Sequence, residues 1–217
     1  MKLGWILMTG LVTALSAPAS LIITPVDATS TTTIGSGGRL IGTTLDGSGL
    51  SSGGTSGDIL TETHSPNNAN TATYWLSGNK SGAGHADEVL IFELGGSFDV
   101  DTLHLWNYTR NGEVDRAITN FEISFSTNGG STFDTTLASG TFADFPPVTV
   151  VDQPAHTRTF TPQSGVTHIR FSNLTNYGDN SYIGLSEVRF GSMIPEPGSL
   201  VLFGSGAMLI LRLRRRG

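Results

Sequence analysis

The chain has 217 residues, no cysteine, 28 glycines, and 18 acidic against 12 basic residues. The absence of cysteine excludes disulfide scaffolds, thiol catalysis and zinc ribbons, and the length suits one domain with processing segments at its ends. Lys2, Arg212, Arg214, Arg215 and Arg216 lie at the termini, so residues 20–197 hold seven basic against all 18 acidic residues, a net −11; affinity for nucleic acid rests on neutralising phosphates, and such a body is unsuited to it.

In chain order, residues 1–19 carry Lys2, an apolar run from Leu3 to Leu15 and the small-x-small sequence Ala17-Pro18-Ala19. That is the layout of a secretory signal peptide ending at residue 19, with an alternative end after Ala28. Residues 31–192 are the expected globular body. Residues 35–57 are dense in Gly and Ser and are expected as loop. Strand signals recur from Val89: the apolar run Val89–Leu94 ending at Gly95-Gly96, the alternation Asp101–Tyr108, and Asn120–Ser126 with Phe121, Ile123 and Phe125 on one face. Asn128-Gly129 follows as a turn signal. Further strands are expected over Thr141–Phe145, Val148–Val151, His156–Phe160, Val166–Phe171 and Ile183–Phe190. No stretch of the body carries a sustained helical stripe. Short strands between Gly, Asn and Pro turns predict an all-β fold, an antiparallel β-sandwich of jelly-roll type.

The C-terminus has three parts. Ile194-Pro195-Glu196-Pro197-Gly198 breaks the preceding strand. An uncharged stretch runs from Ser199 to Leu211, and Arg212-Leu213-Arg214-Arg215-Arg216 follows. The uncharged stretch, 13 residues, is shorter than the ~20 of a spanning helix. Snorkelling arginines could extend this hydrophobic helix, and they predict a cytoplasmic C-terminus. Residues 193–217 resemble the PEP-CTERM sorting tail of exported bacterial proteins. The resemblance implies an exosortase partner that recognises Pro195, Glu196 and Pro197, a membrane anchor or basic stop at Arg212, Arg214, Arg215 and Arg216, and the envelope of a Gram-negative-type bacterium.

The body carries a second resemblance. Glu88–Gly95, Leu103–Tyr108, Arg116 with Phe121–Gly130, Ile169-Arg170-Phe171, Asn176–Asp179 and Gly184–Phe190 are similar, in that order, to the strand series of discoidin (coagulation-factor C-type) domains. The resemblance implies the galactose-binding-like jelly roll, whose members mostly bind sugars or other surface ligands. It also implies a structural calcium ion held by an early-loop acid and a late glutamate, here Asp46 in Asp46-Gly47-Ser48-Gly49 and Glu187. The alternative is that Glu187 is buried and paired with Arg116 or Arg170.

Sugars present apolar ring faces that stack on aromatics and hydroxyls that seek polar partners. His64, Tyr74 and Trp75, around an Asn-rich loop, are the candidate sugar contacts, whereas Trp106, inside a strand, reads as core. None of the five histidines forms His-Glu-x-x-His, no Gly-x-Ser-x-Gly elbow occurs, and His85-Ala86-Asp87-Glu88, ligand-like in its residue types, reads as a solvated loop. The sequence therefore predicts a non-enzymatic, carbohydrate-binding module of the cell envelope with no nucleic-acid partner. A structural matrix or surface-coat component is the alternative, and a glycoside hydrolase or lyase the remotest reading.

Overall fold

The computed structural model describes residues 20–34, 37–66, 73–81, 84–110, 113–137 and 152–193. Ten strands occur among them: β1 Ser20–Ile23, β2 Asp27–Ser30, β3 Thr63–His64, β4 Trp75–Leu76, β5 Leu90–Asn107, β6 Ile118–Ser126, β7 Thr135–Leu137, β8 Gln153–Pro154, β9 His156–Asn176 and β10 Gly184–Met193. The only helical pieces described are three 3-10 turns, at Ile41–Thr44, Ile59–Thr61 and Val114–Arg116. Every pairing between strands is antiparallel. The fold is an antiparallel β-sandwich, as the alternating strands predict.

The hydrogen-bonded order is β1-β10-β5-β9-β6-β7, with β2 on β5 and β4 on β10. β5 and β9 pair along both halves of their length. On its other side, the first half of β5 pairs with β2 and the second half with β10. The β5–β9 register breaks between Glu93 and Thr102, where the strands turn the corner of the sandwich. Gly95-Gly96, expected as the end of a strand, lies inside this continuous one. Gly95 has φ +73, and a Cβ there would stand 2.6 Å from Val26 Cγ1, so the bend needs glycine. The strands expected at 156–160 and 166–171 merge in the same way into β9, across Gly165 at φ +71.

The core lies between the two layers. Phe92 of β5, Phe171 of β9 and Phe190 of β10 meet edge to face, with centroids 5.0–6.2 Å apart, and Phe121 of β6 stacks on Phe171 at 4.2 Å. Phe121, Ile123 and Phe125 are buried, as their alternation predicts.

β1 and β2 pair in the main sheet, so among the described residues the sheet includes segments ahead of residue 31, and the alternative leader end at Ala28 falls inside β2. Residues 1–19, the strands expected over 141–145 and 148–151, and the whole of 194–217 lie outside the described residues. The leader, the sorting motif Pro195-Glu196-Pro197 and the anchor arginines Arg212, Arg214, Arg215 and Arg216 fall there. Among the described residues no helix is long and apolar enough to cross a membrane.

Candidate functional site

The three aromatic candidates for sugar contact are buried, which corrects the expectation that they face solvent. Trp75 is fully buried because β4 pairs with β10 (Leu185 opposite Trp75), and its indole Nε1 donates to the Thr32 carbonyl at 3.2 Å. Tyr74 is fully buried edge-on against Tyr108, centroids 5.1 Å apart, with Arg39 over its ring at 5.5 Å. His64, in β3, is also buried. Its Nδ1 and Nε2 each lie 3.0 Å from a carbonyl oxygen, of Ser65 and Thr73, and the ring fills the space a Cβ at Gly49 would need. Burial lowers the His64 pKa, although both carbonyls and the charges of Asp46 and Asp152 act against it. A neutral ring donates to one of the two carbonyls.

Asp46 and Glu187 do approach one another, but Glu187 is engaged by an arginine. Glu187 and Arg189 stand two residues apart on β10, hence on one face, and both are buried. Glu187 Oε1 pairs with Arg189 Nη1, and Oε2 accepts the Gly47 N–H at 3.2 Å. Asp46 Oδ1 accepts the Ser48 N–H at 2.8 Å. Calcium requires six to eight oxygens turned inward. Here the loop turns N–H groups toward the carboxylates and a guanidinium occupies the acid, and among the described residues no three acidic or histidine side chains converge. The residues present do not fit a calcium ion. Arg116 and Arg170, the partners expected for Glu187, are engaged elsewhere, Arg116 with Asp179 and Glu113 and Arg170 with Ser124 Oγ. Burial pushes the Glu187 carboxyl up to about 7 against the pull of Arg189, and Asp46 adds to the rise.

A surface concavity lies where β9 hands over to β10. It is a shallow pocket of about 290 Å³ lined by Gly84, His85, Leu174, Asn176, Asp179 and Asn180, among others. Tyr177, exposed by 36%, belongs to the same loop but does not line the pocket. Asn176 shapes that loop: its Nδ2 donates to the carbonyls of Asp179 at 2.8 Å and Tyr182 at 2.7 Å, while its Oδ1 accepts the Gly178 N–H at 3.0 Å. The Asp179 carboxylate accepts the N–H groups of Ser181 (2.6 Å) and Tyr182 (2.7 Å) and the Arg116 Nε–H (2.9 Å). Burial would raise its pKa; Arg116 and the two N–H bonds outweigh it and hold the carboxyl below the usual range. Arg116 stacks over Tyr182 at 4.8 Å. His85, expected in a solvated loop, is only 4% exposed; its Nε2 lies 3.4 Å from the Asp179 carbonyl, and its Nδ1 is buried without a partner among the described residues.

The pocket therefore offers a preformed wall, an apolar contact at Leu174, the His85 ring and the Asn180 amide. Its one carboxylate is neutralised. A second concavity, about 570 Å³ between β1 and residues 54–60, is lined by Ile22, Ile59 and Leu60 together with glycines and short polar side chains, and its acid, Asp58, caps a 3-10 turn. The sequence points to Asn176–Asp179 only through the family resemblance and to His85 only within a loop expected to be solvated; nothing in the pattern brings the two segments together.

Residues 194–216 match the family model described as the PEP-CTERM protein-sorting motif. Compared with curated proteins, the chain matches none. Among solved structures, the family 32 CBM from C. perfringens NanJ in complex with galactose is similar at TM-score 0.51 and 16% identity, over 80% of this chain and 100% of that one. Truncated AlyQ with CBM32 and alginate lyase domains gives TM-score 0.50 and 19% identity, over 84% of this chain and 36% of that one. The likeness is one of fold. The chain thus carries a PEP-CTERM sorting motif behind a β-sandwich whose structural neighbours are discoidin-like carbohydrate-binding modules.

Proposed function

We propose that this chain is an exported, exosortase-sorted binding module of the bacterial envelope that recognises a glycan, an extracellular polysaccharide above all, at the pocket between residues 84–86 and 174–180. The reading is supported by that pocket, a concavity of about 290 Å³ where the His85 ring, the Asn180 side chain and the apolar Leu174 stand together, the mixture of polar and apolar surface that a sugar ring calls for. The fold and the sorting motif are consistent with it. The module binds and does not cleave, and the tail delivers it to the membrane for processing.

The test is retention of the purified sandwich on exopolysaccharide from the native bacterium and on a glycan array, beside His85→Ala and Asn180→Ala. Wild-type binding that both variants lose by tenfold or more supports the site. Binding unchanged in both variants refutes this site, and no binding to any glycan refutes the reading. In that last case the structural matrix component takes its place. The burial of Tyr74 and Trp75 in the core already favours that second reading, since it withdraws two aromatics from ligand contact.

A further inference from the structure

The second half of β5 and β10 form a sheet with two faces. Val188 and Phe190 face the sandwich core. The opposite face carries Glu187 and Arg189, with Trp106 and His104 as their cross-strand partners. All four side chains are buried. The segment from Asp46 to His64 lies over Trp106, Glu187 and Arg189. Trp106 Nε1 donates to the Glu62 carbonyl at 2.9 Å, Glu187 accepts from Gly47, and Gly54 lies against the guanidinium, a Cβ there being 3.9 Å from Arg189 Nη2.

The segment is held by two buried carboxylates. Glu62 accepts the N–H groups of Ser52 (2.8 Å), Ser56 (3.0 Å) and Gly54 (3.3 Å). Glu187 accepts that of Gly47. Burial would raise the Glu62 pKa, but the three N–H bonds and the charge of Arg189 prevail and lower it. Arg189 is the cation both carboxylates have in common. It pairs directly with Glu187 and acts on Glu62 through its charge, and Nη1 also donates to the Val188 carbonyl at 2.7 Å. A loop built on calcium turns oxygens inward to the metal; this one turns N–H groups inward to carboxylates, whose charge an arginine then balances.

We infer that Arg189 is the resident cation of this module, a guanidinium that does the work of a structural metal by neutralising Glu187 and helping to seat the Asp46–His64 segment on the outer face of the sheet. The segment therefore folds without a divalent cation, and the module keeps its structure where chelators or acidic polysaccharides strip calcium. Arg189 is a positioning residue: it acts through Glu187 and touches no ligand.

The experiment has two arms. The melting temperature of the purified wild-type sandwich is measured with 1 mM EDTA and with calcium at about 5 mM. A native-state metal site would raise it by mass action, and the expected change is less than about 1 °C. A rise of several degrees with calcium overturns the inference. The second arm compares Arg189→Met, Glu187→Gln and the double variant. Removing one partner of a buried pair leaves an uncompensated charge, so Arg189→Met should lower the melting temperature by on the order of 10 °C. The double variant should recover a substantial part of that loss, which a purely steric role for Arg189 would not allow. Equal losses in Arg189→Met and the double variant, or no loss in either, overturn it. Should Arg189→Met fail to fold, the folded double variant still supports charge compensation, and the wild-type arm decides independently.

Discussion

His104 should make the fold acid-labile in a window that can be calculated. It lies on the covered face of β5, 3% exposed, with Nδ1 2.9 Å from Thr157 Oγ1, and its Nε2 is buried without a partner among the described residues. Burial lowers its pKa from 6.5 to about 4, against the opposing charge of Asp101; Arg189 is its cross-strand neighbour. A histidine whose native pKa is depressed binds fewer protons folded than unfolded. Its stabilising contribution is full above the unfolded value and is lost as pH falls through the folded one. At ~1.4 kcal/mol per unit, the loss is about 2 kcal/mol at pH 5 and about 3 kcal/mol at pH 4. Glu187 has the opposite slope. Its raised pKa of about 7 contributes stability that is full below about 4.5 and lost as pH rises through 7. The two partly cancel in the wild type, so the readout is the difference between wild type and His104→Gln. Urea unfolding of both at pH 7, 5 and 4 should show the variant gaining on the wild type by those amounts as pH falls. Parallel pH profiles would mean that His104 is not held neutral by burial, and would refute the reasoning.

Other outcomes follow from single contacts. Gly184→Ala places a Cβ 2.4 Å from Tyr108 Cδ2, a ring locked edge-on against Tyr74, and should cost about 2 kcal/mol or more in urea unfolding. Glu62→Gln replaces an acceptor of three N–H bonds with a group that also donates; it should destabilise by about 2 kcal/mol and speed hydrogen exchange at the Ser52, Gly54 and Ser56 amides before any in the Phe cluster. Replacing Pro195, Glu196 and Pro197 with alanine should change the intact mass of the mature protein in a host with an exosortase and leave it unchanged in one without. Identical masses in the first host would leave a simple hydrophobic anchor in place of a sorting signal.

The fold was legible where side chains alternate. Phe121, Ile123 and Phe125 announce a strand with one apolar face, and that face is buried; Ser124 and Ser126 on the other face are buried too, which their polarity does not show. What period two cannot show is a strand that changes sheets. Gly95 reads as a terminator, yet it is the residue that lets β5 pass the corner beside Val26. The aromatic candidates failed for a related reason. Tyr74 and Trp75 follow an Asn-rich loop and look solvated, but β4 is two residues long and is buried by its neighbours, not by its own pattern.

β10 shows where the limit of sequence reading falls. Val188 and Phe190 against Glu187 and Arg189 is the alternation of a strand with one wet face, and a bare sheet would leave the acid and the arginine in water. A buried ion pair costs desolvation that water would otherwise spare. The pair persists inside because a segment with no periodicity at all, rich in Gly and Ser, is laid over it by backbone N–H groups whose acceptors are far away in sequence (Gly47 to Glu187) or close at hand (Ser52 to Glu62). Such a cover leaves no hydrophobic signature, since it is bound by hydrogen bonds and charge. The trace it does leave is a glutamate and an arginine two residues apart on a central strand. Either residue alone points to an external partner, a metal for the acid or an acid for the arginine. Together on one face they can satisfy one another, and the loop that buries them needs only donors for the oxygens that remain.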